Sequence, residues 1–114
     1  MPRQYAAEIY ELHARVCKAL ADPTRLLIIN ELRDGPRPVG EIAEALEISQ
    51  PNCSRHLALL RDRGLVTTQR AGSNVYYALT SQKIVRAVDL LREFMAEELG
   101  RHPASASPGT PTQG

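Results

Sequence analysis

The apolar pattern of this chain changes period at Leu65, and that change restricts the fold more than any other feature. Upstream of Leu65, apolar residues recur at helical spacing in four separate segments. Downstream, two β-rich runs follow, and helical spacing then returns. Helices first, then a hairpin, then a closing helix excludes an alternating parallel α/β sheet as well as an all-β sandwich.

The punctuation between segments is explicit. Tyr5 to Ala21 reads as a helix with Ile9, Leu12, Val16 and Leu20 on one side and Glu8, Glu11, Arg15 and Lys18 on the other. Asp22-Pro23 restarts the chain, because Asp is a good N-cap and Pro suits a first helical position whose N–H has no partner anyway. A second helix, Pro23 to Asp34, carries Leu26, Leu27, Ile28, Ile29 and Leu32 and is expected to be buried on most sides; Gly35-Pro36 ends it. Arg37-Pro38-Val39 has room only for an isolated bridge to a sheet. Gly40 to Leu46 forms a short third helix with Ile42, Ala45 and Leu46 inward, and Glu47-Ile48-Ser49 is a tight turn. Ser49 caps a fourth helix that tolerates Pro51 in its first turn, runs to Arg63 and stops at Gly64.

Leu65–Arg70 and Asn74–Leu79 are then two strands joined through Ala71-Gly72-Ser73, with the glycine where the chain must reverse. Ser81 to Leu99 is a final amphipathic helix with Ile84, Val85, Val88, Leu91, Phe94 and Met95 on one side. Arg101 to Gly114 is rich in Pro, Ser, Thr and Gly and is expected to be disordered. The expected organisation is one domain over residues 1–100 and a tail over 101–114. A chain of 114 residues supports a single domain. With 4% aromatic residues and no Trp, its core must come from Leu, Ile, Val and Ala, which is thin for a monomer of this size. Dimerisation would help.

This order is that of a mostly α (α+β) winged helix-turn-helix: about five helices plus a two-stranded β-hairpin wing, with the third and fourth helices as the reading pair. At 100° per residue, Cys53, Leu57 and Leu60 make a narrow inner stripe on the fourth helix. Pro51, Ser54, Arg55, Ala58 and Asp62 face the other way, with Gln50 at the open first turn. Small and polar residues there suit a major groove about 12 Å wide.

The charges agree. Net charge is only +1, yet between Gln50 and Thr80 the charged residues are Arg55, Arg61, Arg63 and Arg70 against Asp62 alone. A locally basic segment in a near-neutral chain points to a polyanionic partner, double-stranded DNA. Arg55 is the candidate base reader, since its fork can donate two bonds to guanine O6 and N7. Gln50 suits adenine or a phosphate. Asn52 and Ser54 position rather than specify, and Arg70, Asn74 and Tyr76 on the wing are candidates for the minor groove or the backbone. Arg61 and Arg63 read as an ordinary solvated face.

The segments Lys18–Leu26, Ser49–Arg61, Gly64-Leu65-Val66 and Arg70–Leu79 resemble the ArsR/SmtB family of bacterial metal- and stress-responsive repressors, over roughly Tyr5 to Leu99. The resemblance implies a homodimer joined through the first and last helices. It also implies binding to an inverted-repeat operator in or near the protein's own promoter, with release by an effector. It supplies no metal site. The family's thiolate site needs Cys at the start of the third helix, and Pro36 to Glu41 has none. Its other site needs Asp and His early on the last helix, where Ser81, Gln82 and Lys83 stand. The cofactor is therefore unknown.

What remains as a possible sensor is His13 with Cys17, spaced i, i+4 on the first helix, and Cys53 on the inner stripe. Both cysteines read first as small core residues. If they sensed a thiol reagent or metalloid, modifying Cys53 would push the reading helix off its packing. His56 reads as a helix–wing packing or phosphate-contact residue.

No Gly-rich phosphate loop, carboxylate pair or nucleophile–base pair points to an enzyme. A winged helix that binds only protein would call for an apolar or acidic outer face on the fourth helix. The longest strongly apolar run, Leu26–Ile29, is far below a membrane span, and Met1-Pro2-Arg3-Gln4 leads into no signal-peptide core, so a cytoplasmic protein is expected.

Overall fold

A computed structural model describes residues 3–101. The elements are α1 (Arg3–Leu20), α2 (Pro23–Glu31), β1 (Arg37–Pro38), α3 (Val39–Leu46), α4 (Gln50–Asp62), β2 (Val66–Ala71), β3 (Asn74–Leu79) and α5 (Lys83–Arg101). Beyond Arg101, the last residue of α5, the expected tail lies outside the described residues. The five helices and the hairpin stand where the apolar periods put them.

The caps act as their residue types dictate. The Asp22 carboxylate accepts from the Arg25 backbone N–H at 3.1 Å, and the Ser49 hydroxyl accepts from that of Asn52 at 3.2 Å. Each thereby satisfies a donor that its helix leaves unpaired. Gly72 turns the hairpin at φ 64 with Ala71 opposite Asn74. That leaves a two-residue loop with positive φ at its first position, a geometry that glycine enters without strain. Thr80 staples the hairpin's base: its hydroxyl donates to the Gly64 carbonyl at 2.8 Å and its N–H to that of Leu65 at 3.1 Å.

One expectation is refined and two are corrected. The bridge expected at Arg37-Pro38 is a two-residue strand that extends the hairpin to a sheet of three strands in the order β1-β3-β2, because Arg37 and Pro38 pair with Tyr77 and Tyr76. Pro38 has no N–H to offer a second neighbour, so this short strand can only be an edge. α2 ends at Glu31, three residues early, and it is not buried on most sides: Ile28 and Ile29 are enclosed while Leu27 is 52% exposed. In α3 the inward pair is Ile42 and Ala43, with Ala45 exposed.

The core joins Ala19 of α1, Ile28, Ile29 and Leu32 of the α2 segment, Ile42 and Ala43 of α3, Cys53, Leu57 and Leu60 of α4, Leu65 and Val66 at the start of the hairpin, and Val85 of α5. No polar or charged side chain is buried among the described residues. α5 is fastened from outside. Arg33 donates to both carboxylate oxygens of Asp89, at 3.0 and 2.9 Å, in the fork geometry that suits guanidinium and carboxylate. That bond, with Arg92 nearby, holds the Asp89 carboxyl below the ordinary carboxylate range.

The turn between α3 and α4 carries the one strained backbone position among the described non-glycine residues. Glu47 sits at φ 57, and the Ile48 N–H closes back on the Ala43 carbonyl at 3.1 Å. This is a Schellman-type ending that usually employs glycine. It delivers Ser49 to cap α4 within two residues of α3's close.

Candidate nucleic-acid interface

α4 presents two opposed faces. Cys53, Leu57 and Leu60 are fully buried, so the helix is pinned along one line. Gln50, Pro51, Arg55, Ala58 and Asp62 are exposed on the other side, and Asn52 and Ser54 are half-buried at the flanks. The Asn52 side-chain oxygen accepts from Arg55 Nη2 at 3.3 Å. That partner is neutral, so Arg55 is steadied while its charge stays available.

On the wing, Arg70 and Asn74 are exposed on either side of the turn, and Tyr76 is half-buried opposite Gln69. Successive strand residues point to opposite faces, so Tyr76 and Tyr77 diverge; Tyr77 is the one packed on the core. The described structure thus gathers Gln50, Pro51, Ser54 and Arg55 on one helix. Arg70 and Asn74 stand apart from them, at the tip of the hairpin.

Behind this helix lies an anchor that sequence reasoning misses. Arg25 of α2 donates from Nε to the Ala19 carbonyl at 2.6 Å and from Nη2 to that of Lys18 at 3.4 Å. Its Nη1 meets His56 Nδ1 at 3.3 Å. A guanidinium has only donors, so Nδ1 must accept and the ring proton sits on Nε2. Asp22 completes the group at 4.0 Å from Arg25. Its carboxyl is held below the ordinary range, chiefly by the Arg25 backbone N–H. His56 therefore turns its Nδ1 toward α2, a contact that helix–wing packing does not anticipate. The only local signal for this anchor is the pair Asp22–Arg25 at i, i+3, and nothing near it points across to residue 56.

The cysteines separate. Cys53 is buried, and burial pushes its thiol pKa up, which leaves little thiolate to react. Cys17 is exposed in the single chain, as is His13, so the expectation of a core Cys17 fails. Near this point α1 packs through Val16, Ala19 and Leu20, and Cys17 falls off that stripe. No group of three or more metal-binding side chains occurs among the described residues. A thiol reagent added to the folded protein is expected to label Cys17 quickly and Cys53 only after denaturant; two equally fast thiols by mass spectrometry would contradict this packing.

Comparison with known proteins converges. The family described as "Bacterial regulatory protein, arsR family" matches residues 22–68, from the cap of α2 into β2. The chain is 40% identical over 86 residues to the HTH-type transcriptional regulator NmtR of Mycobacterium tuberculosis, covering 75% of this chain and 68% of that protein. It is 39% identical over 80 residues to the transcriptional activator HlyU of Vibrio cholerae, covering 70% and 74%. Among solved structures, it resembles the homodimeric winged helix-turn-helix DNA-binding domain of Mb0332 from Mycobacterium bovis. The TM-score is 0.78 at 33% identity, over 90% of this chain and 94% of that one.

Proposed function

Because the chain belongs to the arsR family of bacterial regulatory proteins, we propose that it is a DNA-binding transcriptional regulator that grips an inverted-repeat operator as a homodimer and represses from it. The observation that carries this reading is the outward face of α4: exposed Gln50, Pro51 and Arg55 on a helix locked from behind by Cys53, Leu57 and Leu60. Rigid placement matters because base reading depends on fixed donor geometry. Arg55 is the base reader and Gln50 its companion, while Asn52 and Ser54 set their positions. Arg70, Asn74 and Tyr76 belong to the backbone or the minor groove beside them. A protein-only role is disfavoured by this face, which is polar and whose one acid, Asp62, is engaged by Arg63. The proposed place of action is DNA in the cytoplasm; no described helix is long and apolar enough to cross a membrane.

The pairing surface is equally concrete. An apolar groove of about 510 Å³ runs between α2 and α5, walled by Leu26, Leu27, Val88, Leu91 and Met95 among others. α1 exposes Ile9 and Leu12, and α5 further exposes Phe94 and Leu99. Self-complementary apolar faces of this kind are what a two-fold dimer joins. α2 is thereby added to the first and last helices as part of the seam.

Arg55→Ala tests the reading. It should cost about 1–3 kcal/mol at each half-site, so about 2–6 kcal/mol for the dimer or roughly 30- to 20,000-fold in operator affinity, without changing the melting temperature. Fluorescence anisotropy on an operator selected in vitro with the wild-type protein would check it, and an unchanged affinity would remove Arg55 from the interface.

A further inference from the structure

We propose that the open notch between the C-terminal half of α4 and strand β3 seats one phosphodiester of the DNA backbone, held by Arg61. This rests on the DNA-binding reading above and extends it to a residue that the sequence pattern leaves as solvated surface.

The notch measures about 530 Å³ and is lined by Ala58, Arg61, Asp62 and Tyr77. It continues the outward face of α4, since Ala58 and Asp62 follow Arg55 on the same side of the helix. At 1.5 Å rise per residue, Arg61 stands about 9 Å along the axis from Arg55. The major groove is about 12 Å wide, so a helix reading base edges at Arg55 brings Arg61 to the groove wall, where the phosphates run.

The local charges favour an anion. Asp62 would repel a phosphate, but its carboxylate is taken up by Arg63 Nη1. Arg61 is exposed and has no ion-pair partner among the described residues. Arg61, Asp62 and Arg63 together leave the notch one positive charge. Ala58 keeps the floor open. Tyr77, packed against the core from the sheet, gives a fixed opposite wall. A guanidinium free to fork over two oxygens beside a rigid wall suits a phosphodiester.

The test is the salt dependence of binding by the full chain, read by anisotropy on a duplex of arbitrary sequence and on the selected operator. Each neutralised phosphate contributes about 0.9 to the slope of log K against log salt. Arg61→Ala removes one seat from each protomer of the homodimer, so it should lower the slope by about 1.8 on both duplexes and weaken both by the same factor. Arg61→Lys should keep the slope. Arg86→Ala, which removes an exposed cation from α5, should leave it unchanged. An unaltered slope in Arg61→Ala, or an equal drop in Arg86→Ala, would overturn the phosphate seat while leaving DNA binding intact. A loss confined to the selected operator would make Arg61 a base reader instead. Wild-type protein that ignores both duplexes at low salt would sink this proposal together with the reading beneath it.

Discussion

Leu91→Glu is expected to convert the protein to a monomer and to weaken operator binding by about 10²- to 10⁴-fold, the scale at which joining two sites raises affinity over one. Leu91 is 55% exposed in the single chain, yet it walls the apolar groove between α2 and α5 with Leu26, Leu27 and Met95. In water that exposure is a liability. Against a second copy it becomes burial, and a carboxylate placed there would have to be desolvated without a partner. The fold of each protomer should survive, because Leu91 is not part of the enclosed core and the Arg33–Asp89 fork still fastens α5. Sedimentation would report the change of mass, and anisotropy the loss of affinity. A variant that stays dimeric and binds as tightly as wild type would refute this seam.

The second large effect concerns stability. Leu57→Ala should destabilise the protein by about 2–5 kcal/mol in urea unfolding at fixed protein concentration, by lost burial plus the cavity left behind. Leu57 is fully buried at the middle of the α4 stripe, flanked by Cys53 and Leu60, which are equally enclosed. Total stabilities of such domains are about 5–15 kcal/mol, so the variant would stand near the edge of unfolding. A loss below about 1 kcal/mol would mean that α4 is not anchored through this line. The packing also explains why the reading helix can be polar on its other side: one apolar line of three residues holds it.

The features legible in the sequence are those that local chemistry determines. Asp22 and Ser49 act on N–H groups three residues away, and Gly72 supplies its own turn. The α4 stripe follows from helical spacing alone. Expectation and structure part where a partner distant in sequence decides. Nothing near Pro38 says that it will lie beside Tyr76, and Arg25 meets a histidine 31 positions further on. The eight-residue α3 is too short for its spacing to distinguish Ala43 from Ala45. The exposure of Cys17 has a related cause. Spacing within α1 does not say which side meets the rest of the chain: Val16, Ala19 and Leu20 do, and Cys17 falls off that stripe. Arg61 illustrates the converse. Its side of the helix is polar by pattern, and only the position of β3 makes a notch of it.

The paired hydrogen bonds from Arg33 to Asp89 have a mechanical consequence. They tie α5, the helix that carries much of the proposed seam, to the end of α2, whose other end is tied through Arg25 to α1 and to His56 on α4. Seam and reading head therefore form one stiff frame, and the two heads of a dimer would behave like calipers set to a single gap. Any molecule that wedges the seam by even a small angle would displace both tips at once, and the gap would then no longer match successive turns of the duplex.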